Sequence, residues 1–162
     1  MEAQVDGAVE RIHATAIAVG GRAVLIRGPS GSGKSDLAFR CLATPVSPLI
    51  QAPAPLIADD QVCLKREGTS LIASAPSMLA GKIEVRGVGI LNVEPQEHAH
   101  VALVAEIVSR DQIERYPDPW PTTELLGLRV PVIRIYPYDA SAPLKLLAAM
   151  AMASLPPVSA AV

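Results

Sequence analysis

Gly28-Pro29-Ser30-Gly31-Ser32-Gly33-Lys34-Ser35 carries glycine, lysine and hydroxyl at the spacing of a loop that wraps a phosphate chain. Glycines let successive backbone N–H groups converge on one anionic point, and a helix starting behind them adds the positive end of its dipole. In such a loop Lys34 reaches the β- and γ-phosphates and the Ser35 hydroxyl holds Mg²⁺. All eight residues are therefore candidate nucleotide-binding positions, with ATP and Mg²⁺ as the implied cofactors.

Phosphoryl transfer also needs acids near that loop. Leu56-Ile57-Ala58 runs into Asp59-Asp60, which puts two carboxylates at a strand end where they can reach a metal or take a proton from an incoming hydroxyl. Adjacent side chains on a strand face opposite ways, so the chain must kink for both to enter one site. In Ile83-Glu84-Val85-Arg86-Gly87-Val88-Gly89 the alternation points Glu84 and Arg86 together. That pattern serves equally a Mg²⁺ ligand beside a phosphate clamp and an exposed strand face with an ordinary charge pair. His13, a lone histidine near a strand, reads as structural from spacing alone.

The elements that would position these residues follow from periodicity. Val9 to Ile17 and Ala23 to Ile26 read as strands, with Val19-Gly20-Gly21-Arg22 as a tight hairpin turn. Leu37, Ala38, Cys41 and Leu42 mark one face of a helix directly after the loop. Four prolines within 44–55 exclude a helix there. Further strands are expected at Gln61 to Arg66, Leu71 to Ala73, Ile83 to Arg86, Ile90 to Val93 and Val101 to Val108, with a helical turn between Pro76 and Gly81 and a polar break at Glu94 to Ala99. Arg110 to Glu124 reads as a linker. Val130 to Tyr136 reads as an edge strand because Pro131 removes a ladder donor. Pro143 opens a helix from Leu144 to Leu155, and the tail at 157–162 is expected to fray. The expected fold is α/β, a compact single P-loop domain over 1–162 with a mixed, strand-rich central sheet and a proline-rich insertion at 44–55.

Composition narrows the class. The 162 residues carry Lys+Arg 14 against Asp+Glu 16, a net charge of -2, which opposes a general nucleic-acid binder. Cys41 and Cys63 have no metal or redox spacing and read as two buried free thiols. Glu2, Asp6 and Glu10 replace the basic start of a signal peptide, and Lys145, Ser154, Pro156 and Pro157 interrupt the longest apolar run. The expectation is a cytoplasmic protein without membrane contact.

Ile12-His13-Ala14, the loop 28–35, Leu56 to Asp60 and above all Ile83-Glu84-Val85-Arg86-Gly87-Val88-Gly89-Ile90-Leu91-Asn92-Val93 together resemble the catalytic domain of the HPr serine kinase/phosphorylases. The resemblance covers about residues 9 to 108 and suggests a short, alphaproteobacterial-type member. It implies transfer of the ATP γ-phosphate to a serine of the phosphocarrier HPr of a bacterial phosphotransferase system, and a homo-oligomer. By position it makes Asp60 the proton acceptor, Asp59 its neighbour and a metal partner, Ser35 and Glu84 Mg²⁺ ligands, Lys34 a phosphate binder and His13 an active-site residue; Arg86 is the phosphate clamp read from the alternation. Two departures stand out: the insertion at 44–55, and Ile135 to Pro143, which holds no arginine where the family carries one tied to catalysis. The second predicts weak phosphorylase activity. A small-molecule kinase and a nucleotide-sensing regulator without turnover remain alternatives.

Overall fold

The computed structural model describes residues 7–153, so the expected fraying at 157–162 lies outside it. The stretch expected as one strand from Val9 to Ile17 is two, β1 (Val9–His13) and β2 (Thr15–Val19), separated only by Ala14. They take different partners: β1 pairs with β5 (Gln61–Glu67), and β2 pairs with β3 (Arg22–Arg27) and β4 (Leu56–Ala58), all antiparallel. Nine strands form one sheet, in the hydrogen-bonded order β1-β5-β6-β9-β3-β2-β4, with β6 at Ser70–Ser74 and β9 at His98–Ile107. Because β1 and β2 are joined by one residue yet lie far apart in that order, the sheet must curl on itself. Accordingly β2 touches β5 and β4 touches β6, although neither pair is hydrogen-bonded.

The curl encloses one apolar cluster, with Ala16, Ala18, Leu25, Val62, Leu64, Leu71 and Val104 among its members. The alternate residues Ile17, Val24 and Ile26 face a second cluster on the opposite side, covered by two helices. The first, α1 (Lys34–Leu42), is positioned by Leu37, Ala38 and Cys41, all fully buried on one face, with Asp36 and Arg40 matching the dipole at its two ends. Truncating Leu37 to alanine would cost about 2–5 kcal/mol by the usual measure of a buried leucine. The second, α2 (Ala142–Met152), opens with Pro143 in its first turn, and Leu146, Leu147 and Met150 are buried.

Three further expectations are corrected. The polar break ends early, since β9 starts at His98, where residues 98–100 pair with β6 before 100–106 run beside β3. The linker contains a short 3-10 turn at Arg110–Gln112 and a strand, β10 (Thr122–Leu125), and Trp120 packs on the helix-covered core. The strand after it, β11 (Leu128–Ile135), is no edge: β10 lies antiparallel on one side and β9 parallel on the other. Val132 N–H donates to Pro121 O on the β10 side (2.8 Å), which turns the Pro131 nitrogen the other way, just ahead of the first β9 pair at Val132. The proline therefore breaks no interior bond. A two-stranded hairpin, β7 (Lys82–Val85) and β8 (Gly89–Asn92), stands apart from the sheet. Residues 44–55 form no helix or strand, as the prolines require. Among the described residues no helix is long and apolar enough to cross a membrane.

Cys41 is fully buried while Cys63 is only half-buried, a correction to the expected burial of both. Burial pushes the Cys41 thiol up to about 12, against a smaller opposing effect of the Arg40 charge. The native protein is therefore expected to resist alkylation at Cys41 at pH 8 and to accept it on unfolding, as mass mapping would show. Since the folded thiol holds its proton above the ordinary value of 9.0, the associated stability is complete below pH 9 and fades as pH rises toward 12.

Candidate active site

The site begins at the corner where the sheet curls. Ala14 separates β1 from β2, and opposite it Asp59 and Asp60 separate β4 from β5. Ala14 N–H donates to Asp60 O (3.2 Å), and Asp60 N–H donates to the Thr15 hydroxyl (3.4 Å). Asp60 adopts φ 64, the left-handed conformation that Asp tolerates better than most residues, and this supplies the kink required of the acid pair.

The kink sends the two carboxylates to different tasks. Asp59 is buried and bonded through both oxygens: its Oδ1 accepts from Thr15 Oγ1 (3.0 Å) and Ser35 Oγ (2.5 Å), and its Oδ2 accepts from Glu84 N–H (3.0 Å). One side chain thus ties the corner to the end of the glycine-rich loop and to β7. Asp60 is exposed and faces the cleft, with His13 Nδ1 at 3.3 Å from its Oδ1. His13 reaches the site through Asp60.

The loop follows β3 and feeds α1 through Gly33, whose φ of 103 suits only glycine; a Cβ there would also crowd the Tyr138 ring at 3.2–3.3 Å. At Gly28 a Cβ would lie 2.6 Å from Ser32 Oγ. Lys34 is buried and donates to Gly28 O and Pro29 O, both at 2.9 Å, which curls the loop around its own lysine. Ser32 Oγ is the buried side-chain polar atom that finds no partner among the described residues.

A cleft of about 600 Å³ unites these groups. Of the loop, Ser30, Gly31, Gly33, Lys34 and Ser35 line it, whereas Gly28, Pro29 and Ser32 do not. Asp60, Glu84, Val85 and Arg86 line it as well, with Asp36, Phe39 and Tyr138 completing the wall. Glu84 and Arg86 make no ion pair among the described residues, but strand alternation does not account for their shared position: β7 ends at Val85, which lines the cleft too, and Arg86 falls in the turn that follows. At Gly87 and Gly89 a Cβ would meet nothing within 4 Å, and the positive φ of both serves the β7–β8 turn.

Sequence reasoning missed Thr15, a buried hydroxyl in an apolar strand, and the surroundings of 136–139. There Arg40 donates to Pro137 O and Asp139 O, while Arg110 makes a forked pair with Asp139 Oδ1 (2.6 and 3.0 Å) and lies 4.6 Å from the Tyr136 ring centroid. The arginine-free segment is thus gripped by arginines from elsewhere in the chain, and no local spacing could reveal it. Arg134 is exposed and faces a separate hollow beside Arg110 and Lys145.

The oxygen donors Ser35 and Glu84 suit Mg²⁺, which keeps most of its water and is commonly held by one or two carboxylates together with substrate phosphates. No group of three His, Cys, Asp or Glu side chains able to hold a metal exists among the described residues.

A curled, strand-rich sheet with a glycine-rich loop between strand and helix, an acid pair at the neighbouring corner and a hairpin over both define an α/β kinase-type domain. The chain belongs to the HPr Serine kinase C-terminal domain family, whose model matches residues 7–155. It is 32% identical over 130 residues to the HPr kinase/phosphorylase of Bordetella pertussis, covering 74% of this chain and 40% of that protein. To the HPr kinase/phosphorylase of Clostridium botulinum it is 39% identical over 83 residues, 51% of this chain and 25% of the relative. The solved structure of the Hpr(Ser) kinase/phosphatase from Coxiella burnetii matches with a TM-score of 0.71 at 28% identity, covering 88% of this chain and 89% of that one. The chain spans about a quarter to two-fifths of the length of the curated relatives it matches.

Proposed function

We propose that this domain is an ATP- and Mg²⁺-dependent protein-serine kinase that phosphorylates HPr, the phosphocarrier of a bacterial phosphotransferase system, in the cytoplasm. The observation that carries the reading is the division of labour in the acid pair: Asp59 is locked onto Ser35, while Asp60, exposed and paired with His13, lies across one cleft from the phosphate loop. Membership of the family supports the substrate. In this reading the loop N–H groups and Lys34, once turned from its own carbonyls, hold the β- and γ-phosphates, and Ser35 and Glu84 hold Mg²⁺. Bound Mg²⁺ neutralises charge on the phosphate oxygens. Asp60 accepts the proton of the acceptor serine as its oxygen bonds to the γ-phosphorus and the bond to the β,γ-bridging oxygen breaks. His13 orients Asp60 through their 3.3 Å contact, Asp59 orients Ser35, and Arg86 faces the transferring group.

Incubating the protein with labelled ATP, Mg²⁺ and purified HPr tests this. Phosphoserine on HPr is expected; label on a metabolite, or binding without transfer, would overturn it. In the reverse direction, phosphoseryl-HPr with Mg²⁺ and phosphate is expected to release pyrophosphate far more slowly than the kinase works forward. A second free anion must be held beside Asp60 and Glu84, and Arg86 is the lone arginine lining the cleft among the described residues, since Arg40 and Arg110 are spent on 137–139. Comparable rates in the two directions would refute that expectation.

A further inference from the structure

Resting on the reading of the glycine-rich loop as a triphosphate site, we infer that Tyr138 is the wall against which the nucleoside of the bound nucleotide stacks. The first argument is topological. Strands β3, β9 and β11 are parallel, so their C-terminal ends open on one edge of the sheet. The phosphate loop leaves β3 at that edge, Asp59 and Asp60 leave β4, two strands to one side, and residues 136–139 leave β11, two strands to the other. Ligands of α/β sheets lie across such edges. With the γ-phosphate directed to Asp60, the other end of the nucleotide extends toward the segment after β11.

Side-chain geometry supplies the second argument. Tyr138 lines the same cleft as Lys34 and Asp60, is 58% exposed, and approaches Gly33 so closely that a Cβ there would lie 3.2 Å from its hydroxyl. The cleft's other aromatic, Phe39, packs into the helix-covered core, so Tyr138 is the ring with a free face. The ring is also held in place. Tyr136 meets it edge-on at 5.7 Å, Arg40 fixes the Pro137 carbonyl, and Arg110 and Lys145 fix Asp139 on either side of it. An exposed aromatic clamped at both neighbours loses little freedom when a flat ligand covers it. These contacts tie α1, α2 and the turn at 110–112 to the segment after β11, and in doing so they fix the residues on both sides of one ring. A π-face accepts any base, so recognition here is expected to tolerate different bases.

Calorimetric titration of the whole protein, in Mg²⁺, with ATP and with inorganic tripolyphosphate separates the nucleoside from the phosphates. Tyr138→Ala is expected to weaken ATP about tenfold, equivalent to about 1.4 kcal/mol, and to leave tripolyphosphate unchanged, while Tyr138→Phe keeps ATP affinity. Unchanged ATP affinity in Tyr138→Ala overturns the inference. So does an equal loss for both ligands, which would mean that the ring merely shapes the loop at Gly33. If the unaltered protein binds neither ligand, or if Lys34→Ala binds tripolyphosphate as tightly as the unaltered protein does, the triphosphate reading itself fails and the inference falls with it.

Discussion

Lys34→Ala is expected to lower phosphoryl transfer to HPr by about 10²-fold or more, the scale seen when one preorganised electrostatic donor is removed from a transition state. The fold should survive. Lys34 belongs to neither apolar cluster; its ammonium is bonded to Gly28 O and Pro29 O, and those carbonyls belong to a loop at the rim of an open cleft where water can replace the lost donor. The same bonds explain why the lysine is buried with no carboxylate partner among the described residues: the loop itself supplies two oxygens. Circular dichroism should therefore match the unaltered protein while steady-state kinetics show the loss. A variant that folds and transfers phosphate at the ordinary rate would remove Lys34 from the mechanism and the loop from the site.

The parts legible from sequence are those in which chemistry and local conformation coincide. The loop announces itself because Gly31 and Gly33 need positive φ, and its helix because Leu37, Ala38 and Cys41 fall on one face. The requirement for a kink at the acid pair was also visible, since two neighbouring side chains on a strand cannot share a site. What the sequence did not reveal is that the kink belongs to a corner shared with Ala14. Val9 to Ile17 reads as a nearly unbroken β pattern, and only the pairing of β1 with β5, 48 to 56 residues downstream, and of β2 with β4, 39 to 42 residues downstream, splits it. The same limit hid Thr15, whose role depends on a carboxylate 44 residues away. It also hid the grip of Arg40 and Arg110 on 136–139, made across separations of 97 and 29 residues. Pro131 misled for a related reason. A proline forbids one hydrogen bond, and whether that bond falls inside the sheet depends on where the partner strand starts.

Asp60→Asn is expected to abolish most turnover while leaving nucleotide affinity and thermal stability close to those of the unaltered protein, whereas Asp59→Asn should reduce all three. The difference follows from what each carboxylate touches. Asp60 is exposed, and among the described residues its side chain makes a polar contact only with His13, so an amide in its place disturbs no packing but cannot take the acceptor proton. Asp59 accepts three hydrogen bonds, from two hydroxyls and a backbone N–H, with no oxygen to spare. An asparagine offers one oxygen and a donor. If the oxygen keeps the Glu84 N–H, the amide must face Thr15 and Ser35, and Thr15 Oγ1 already accepts from Asp60 N–H. At least one buried group is then poorly satisfied, a cost of about 1–3 kcal/mol. Ser35, no longer held at 2.5 Å from a carboxylate, would also present its hydroxyl less firmly to Mg²⁺. Melting temperature, nucleotide Kd and kcat measured on the two variants distinguish these effects, because loss of a base moves kcat alone and loss of a brace moves all of them. If Asp59→Asn proved as stable as the unaltered protein and lost only kcat while Asp60→Asn remained active, the proton acceptor would be Asp59 and the corner would have to open during the reaction to expose it.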